Sequence, residues 1–425
     1  MILAMTPKSK ASFLNYFLVT AMFFMAVDLR VFSGFSGFVS FTVLELLIYV
    51  GCAYIFLSLV ANPYSYWQRI KNSLQAARPL IIFLVFATIA TFLALLSGRI
   101  DGLQLFKDLL PSILLALILV FAVDDINQLK KLTIIFVLVG FVSALLGVSQ
   151  GLLGGPYPFP VDISSLGKMG LDGKVLTGNV AIGFFRHPNG LGVYLVPIFV
   201  GFFVALFSDL TVVKKIFCFF SLLLVCIVFY YAQVKGAFAW SLIGGLSGLA
   251  ILKFGDKLSI WILALFPGII FIIVYASLTS NEQTLSTMQT RYQLWQAAMY
   301  VFSRFDLNFF VGSLREEMYT ATNYFTMGRF PYPNAHNAYL NIVINYGVLA
   351  LLAYVFMIVH VVKSCPSISP NMSIYNAAYK GAFLGLLGQN FFEPTAEGVL
   401  VQSQFYILVA AILIVKKLQK VKSHG

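Results

Sequence analysis

Charge is scarce in this chain: only 10% of its 425 residues are Asp, Glu, Lys or Arg, whereas 60% are hydrophobic. A soluble domain cannot hide that much apolar surface, so the composition excludes one and implies a polytopic helical membrane protein. Apolar–polar alternation is missing too. The apolar runs are unbroken over lengths that suit helices, which excludes a barrel of strands of about ten residues. Acidic residues number 16 against 28 basic ones, for a net charge of +12. That surplus is scattered through short connectors, which fits positive-inside topology better than a nucleic-acid surface, and no nucleic-acid partner is expected. The four cysteines, Cys52, Cys218, Cys226 and Cys365, show no CxxC spacing, so neither a disulfide framework nor a thiolate metal site is expected. There is no Gly-rich loop ending in GK[ST], no HExxH, and no Asp-x-Asp on the segments assigned outside. His187 and His336 have no recognised metal spacing with the carboxylates, and neither a catalytic metal nor a cofactor is expected. Lys8 and Lys10 precede an apolar run from Ala11 with no convincing cleavage site, so that run reads as a retained first helix.

The apolar runs predict about twelve transmembrane helices in a single all-α domain over 1–425. The spans are 11–28, 38–61, 79–97, 109–123, 132–152, 188–208, 216–232, 237–252, 258–277, 338–359, 377–392 and 399–415. One alternating set of short connectors carries Lys8/Lys10, Arg69/Lys71/Arg78, Lys130/Lys131, Lys214/Lys215, Lys253/Lys257, Lys363 and the tail from Lys416 to Lys422. That set holds more than half of the 28 basic residues. Both termini are therefore expected in the cytoplasm, and the long segments 153–187 and 278–337 outside. Segment 153–187 is rich in Gly and Pro (Gly154 to Pro160 above all) and reads as an irregular loop. Segment 278–337 reads as partly helical, because Leu285, Met288, Tyr292, Trp295, Met299 and Phe302 recur at steps of three and four. At about 100° per residue Arg291 falls on the edge of that stripe, turned toward the headgroup layer.

Residues able to carry chemistry gather on the outer side. His336 stands at the start of span 338–359, where the positive end of a helix disfavours imidazolium and leaves a neutral base. Asn334 or Asn337 is suited to cap that helix. Arg186-His187-Pro188-Asn189-Gly190 opens span 188–208, with Pro188 fitting the first helical position and Arg186 beside a ready anion site. Lys235 sits in a tight outer turn, and Glu393 and Glu397 in the last one, where they are placed to orient a base or hold a hydroxyl. Each also has an ordinary reading: snorkelling cations at headgroups, a satisfied interfacial histidine, solvated carboxylates. Lys380, Gln389 and Asn390 are polar groups inside a predicted span and should face the bundle interior. Gln389 and Asn390 belong near its outer end and Lys380 near its cytoplasmic end. Glu45 is the main midspan carboxylate available to an ion-driven transporter.

Together these residues resemble the O-antigen ligase superfamily, which includes O-antigen polymerases and protein O-oligosaccharyltransferases. The resemblance runs from about residue 180 onward. It rests on Arg186-His187-Pro188-Asn189-Gly190-Leu191, Lys235-Gly236-Ala237, Arg291 with Trp295, and Ala335-His336-Asn337-Ala338-Tyr339-Leu340. The ligase signature, His followed by Asn, Ser or Gln and then, after nine intervening residues, by Gly, is matched by His336, Asn337 and Gly347. Its last position, usually Gly, Thr or Tyr, is Ala350 here. The Arg-x10-Gly pattern of some polymerases is missing at Arg186 and Arg291.

The resemblance implies a metal-independent, inverting glycosyltransferase of the bacterial inner membrane with its site on the periplasmic face. Its donor would be a glycan linked to undecaprenyl diphosphate, and its acceptor lipid A core or a growing glycan. It implies that Arg186 and Arg291 bind the diphosphate with Lys235 adding charge, and that His336 takes the acceptor proton. His187, Asn189, Asn337 and Glu393 stand as supporting residues. A non-enzymatic glycan or lipid exporter is the rival expectation from another class.

Overall fold

A computed structural model describes residues 7–24, 30–32, 41–99, 101–153, 180–185, 188–278, 282–329, 331–363, 370–392 and 399–423. These are helical almost throughout; a short antiparallel pairing of β1 (Arg30–Phe32) with β2 (Phe41–Thr42) is the exception. The first half supplies α1 (Pro7–Phe24), α2 (Val43–Ala61), α3 (Pro63–Leu96), α4 (Asp101–Ala122) and α5 (Ile126–Leu153). Next come α6 (Pro188–Leu206), α7 (Val212–Ala232), α8 (Lys235–Phe254) and α9 (Leu258–Leu278). A connecting layer follows, made of α10 (Glu282–Phe302), the short α11 (Leu307–Val311) and α12 (Arg315–Phe325). The last three are α13 (Ala338–Val362), α14 (Pro370–Phe392) and α15 (Val399–Ser423). Seven helices among the described residues, α2, α3, α5, α6, α7, α8 and α13, are long and apolar enough to cross a membrane, as a polytopic membrane protein requires.

The most extensive helix–helix contact joins α8 to α14. It has almost no side chains in it. A Cβ on Gly381 would lie 2.6 Å from the Gly244 carbonyl oxygen, and one on Gly248 3.0 Å from the Ala377 carbonyl oxygen. Small residues let two helices approach backbone to backbone, the arrangement favoured where lipid tails give helices no hydrophobic reason to associate. The two helices run antiparallel, so the first turn of α8 lies beside the last turns of α14: Trp240 lies flat over Gly388, and Gln389 fronts Gly236. Buried Val193 to Val200 of α6 pack against the same pair.

Opposite that end, buried cations close two helix C-termini. The last carbonyls of a helix have no intrahelical donor and carry partial negative charge. Lys380, fully buried, donates from Nζ to the Val362 carbonyl at 2.9 Å, at the end of α13, and to Asp256 Oδ1 at 2.7 Å. Lys417 donates to the Val120 and Val123 carbonyls at the end of α4 (2.9 and 3.1 Å) and pairs with Asp124 at 3.0 Å. Arg69 joins it through the Phe121 and Ala122 carbonyls. The intramembrane lysine foreseen from the sequence is thus a helix cap with its own carboxylate. Lys380→Met takes the charge partner from Asp256, which keeps the Asn376 amide, and one of two donors from the Val362 carbonyl, which keeps the Ser259 hydroxyl. Removing one partner of such a buried ion pair costs about 3–5 kcal/mol. A marked fall in the thermal unfolding midpoint of the purified variant is expected; an unchanged midpoint contradicts this role.

Three expectations need correcting. Glu45 is not at midspan. It lies in the first turn of α2 and forms a capping box with Thr42, accepting from the Thr42 N–H at 2.6 Å while the Thr42 hydroxyl accepts from the Glu45 N–H at 3.2 Å. A carboxylate committed to a helix start is no mid-membrane ion ligand. The stretch 62–78 is not a loop, because α3 begins at Pro63 and runs unbroken through it. Proline suits a first helical position, and the basic residues there project from helix.

The third correction concerns α10. Its buried face is Met288, Leu294, Ala297, Ala298, Val301 and Phe302, whereas Tyr292 and Met299 are exposed. The packed face is turned by roughly a quarter of a revolution from the predicted stripe, at about 100° per residue. Alanines cause the difference, since they admit close approach by Leu314, Met318 and Ala321 and by Val343 and Ile344 of α13. Arg291 consequently points along the packed side instead of sitting at its edge.

The connecting layer also enters α13. Gly347 breaks that helix with φ 81° and ψ 170°, and the broken turn is held from outside. The Ile344 carbonyl accepts from the Leu314 N–H at 2.8 Å and the Asn345 carbonyl from the Ser313 N–H at 3.3 Å. Non-helical backbone at membrane depth is tolerated only when protein satisfies it in this way. Arg99 at the end of α3 secures the same stretch, pairing with Glu317 at 2.8 Å and donating to the Ser313 carbonyl.

Candidate functional site

The site residues sit where several helix starts meet the end of α14. At α13, Asn337 is the N-cap: its Oδ1 accepts from the Tyr339 and Leu340 N–H groups at 3.0 and 3.1 Å. His336, immediately before the cap, is half-buried with a left-handed backbone, φ 46°. Histidine tolerates that region better than most residues. Local bonds fix it there. The His336 N–H donates to Asn334 Oδ1 at 3.1 Å, and the Ala335 N–H to Asn341 Oδ1 at 2.8 Å. The Tyr332 ring meets the imidazole edge to face, 5.5 Å between centroids. The Tyr332 carbonyl is in turn held by the Thr322 hydroxyl of α12 at 2.8 Å. The imidazole is thus aimed by a turn that both the cap and the connecting layer constrain.

One turn into α13, the Tyr339 hydroxyl donates to the Leu387 carbonyl of α14 at 2.8 Å. This bond ties the histidine's helix to the last turns of α14, where Phe391 and Phe392 form a hub. The Arg291 guanidinium lies 5.9 Å above the Phe392 ring, within reach of a cation–π attraction. Trp295, one turn further along α10, packs edge-on against Phe391 at 5.2 Å. Trp240 of α8 is 6.3 Å from Phe392, and α8 begins with Lys235, whose side chain is exposed. Lys235, Arg291 and the helix start bearing His336 therefore surround the same end of α14.

Arg186, His187 and Glu393 lie outside the described residues. Their surroundings are defined on one side. Gln150 clamps the approach to Arg186, its Oε1 accepting from the Ile182 and Gly183 N–H groups at 2.9 and 2.8 Å and its Nε2 donating to the Gly183 carbonyl at 3.1 Å. Helix α6 then opens at Pro188, the first position expected for it, with Asn189 half-buried in the opening turn. Gly192 packs directly on Val234, the residue before Lys235, so α6 and α8 begin side by side.

In the sequence Trp295 has only a place in an apolar stripe and a motif, and Gln389 only a place near the outer end of its span. In the fold both belong to the hub. The signal for Gln389 was its polarity deep in an apolar run, one helical turn from Phe392. Chemically, the arrangement offers two cations, the positive ends of three helices and one imidazole around a single locus, which suits an anionic group undergoing proton-coupled transfer. No family model matches the chain, and no match is found among curated proteins.

Proposed function

We propose that the chain is a metal-independent, inverting glycosyltransferase that moves a glycan from undecaprenyl diphosphate to an acceptor hydroxyl. The observation that carries this reading is that Arg291, the helix start bearing Lys235 and the helix start bearing His336 all meet the last turns of α14, at Phe392, Gln389 and Leu387 respectively. In the proposed step His336 takes the proton of the acceptor hydroxyl as its oxygen attacks the anomeric carbon. The carbon–oxygen bond to phosphate breaks, and the electron pair leaves with undecaprenyl diphosphate. Arg291, Lys235 and Arg186 offset the growing charge on that leaving group. Asn337 and Asn189 support the histidine and the anion site from their helix starts, and His187 and Glu393 are proposed as further supporting residues.

The finer placement belongs to the same proposal. About twelve spans follow from the apolar runs, and both termini in the cytoplasm with the site on the opposite face follow from the alternation of basic connectors. The bacterial inner membrane and its periplasmic face are what the resemblance implies. Support comes from helix direction: α8 and α13 both run from the site toward the basic stretches at Lys253, Lys257 and Lys363. Among acceptors, ligation of O-antigen to lipid A core is favoured over polymerisation by the His336, Asn337 and Gly347 spacing.

Reconstitution tests the reading. Purified protein in liposomes, given an undecaprenyl-diphosphate-linked glycan and a set of acceptors, should transfer the glycan to one of them without added nucleotide or metal. Transfer to lipid A core marks a ligase, and extension of a repeat unit marks a polymerase. If no acceptor is glycosylated, the enzyme reading fails and an exporter gains.

A further inference from the structure

Two polar atoms buried at the Phe391–Phe392 hub, Trp295 Nε1 and Gln389 Oε1, have no hydrogen-bond partner among the described residues. Gln389 is only 3% exposed. An unsatisfied polar atom in such a place costs stability and gives the ligand-free protein nothing, so it calls for a physical reason.

Their positions supply one. Trp295 lies one turn from Arg291 on the same side of α10, its ring against Phe391 while the Arg291 guanidinium lies over Phe392, so the indole and the guanidinium share the hub. The Gln389 carboxamide lies 3.4 Å (Oε1) and 3.9 Å (Nε2) from where a Cβ on Gly236 would stand, facing the first turn of α8. That turn presents N–H groups without intrahelical acceptors and the positive end of a 20-residue helix, next to Lys235. An indole N–H only donates, and a carboxamide can turn either its oxygen or its NH2 to a ligand. With the Gln389 carboxamide turned so that its NH2 meets the ligand, that group and the indole N–H are two neutral donors beside two cations and a helix start, which match a ligand rich in anionic oxygens.

We propose that Trp295 Nε1 and the Gln389 amide donate hydrogen bonds to oxygens of the diphosphate, on the reading of the site given above. Arg291 and Lys235 attract the diphosphate, and the two neutral groups fix its orientation. Charge attraction varies slowly with angle whereas a hydrogen bond weakens steeply off-axis, so the neutral pair sets the direction of the bond to be broken.

Binding to the purified full-length chain tests this, with undecaprenyl diphosphate bearing no glycan as the probe and undecaprenol as the tail-only comparison. Trp295→Phe keeps the ring and removes the N–H; Gln389→Met keeps the volume and removes the amide. Each should weaken diphosphate binding about ten- to a hundredfold, the range for a hydrogen bond to a charged group. Undecaprenol binding should not change, and the ligand-free unfolding midpoint should hold or rise because an unsatisfied buried group is gone. Unchanged diphosphate affinity in both variants overturns this inference and leaves the site intact. Weaker affinity together with a lowered ligand-free midpoint also overturns it, by making both side chains packing residues. If the wild-type chain itself ignores the diphosphate, the reading of the site falls with it.

Discussion

Gly347→Ala should detach the connecting layer from the bundle and destabilise the protein by about 4 kcal/mol or more, among the largest effects of a single substitution. Two costs combine. The backbone at Gly347, φ 81° and ψ 170°, lies in a region essentially closed to any residue with a Cβ. A methyl there would also stand 2.1 Å from the Phe310 carbonyl oxygen and 2.4 Å from its carbon. Those are backbone atoms of α11, and no rotamer change moves them aside. Gly312 makes the reciprocal approach, since a Cβ on it would lie 2.5 Å from the Asn345 carbonyl oxygen. To admit the methyl, the segment has to withdraw and surrender the Ser313 and Leu314 bonds that satisfy the broken turn. Thermal unfolding together with limited proteolysis of residues 303–337 reads both consequences. An alanine variant with the wild-type midpoint and cleavage pattern would falsify the wedge.

His336→Asn is the second prediction, and the choice of asparagine matters. The His336 backbone is left-handed, a conformation asparagine also tolerates, whereas alanine there adds strain unrelated to chemistry. Asparagine keeps the turn and removes the base. Transfer in the reconstituted system should fall about 10²–10⁴-fold, the usual worth of a positioned general base, with an unfolding midpoint close to wild type. Arg291→Lys makes a useful companion because it retains charge and loses the planar fork, so it should weaken donor binding more than it slows the bound complex. Wild-type turnover by His336→Asn would remove the histidine from the mechanism.

Much of this organisation could be read from residue order because it depends on local rules. Pro188 starts α6, Asn337 caps α13, and Lys380 and Gln389 are buried polar groups inside α14. The rest depended on partners far away in the chain. The Gly347 break is silent in hydropathy, since the apolar run passes through it, and only the arrival of Phe310 gives the glycine a purpose. The periodicity points to the wrong face of α10 because bulky residues dominate it, while Ala297 and Ala298 make the close contact. Glu45 looked like a midspan charge because β2 and the start of α2 were read as one continuous span. Trp295 and Gln389 acquire meaning only once α10 and α8 are both laid against α14.

The glycine seam between α8 and α14 sets the tolerances of the whole locus. Main chain rests on main chain at Gly244, Gly248 and Gly381, so the gap between the Lys235 turn and Phe392 is a rigid spacing that side-chain rotamers cannot absorb. One added methyl several turns from the hub acts as a shim. It pivots the two helices apart and is magnified at their far ends, where the Lys235 turn lies beside Gln389. Residues several turns from the hub thereby act as gauge blocks for those that form it.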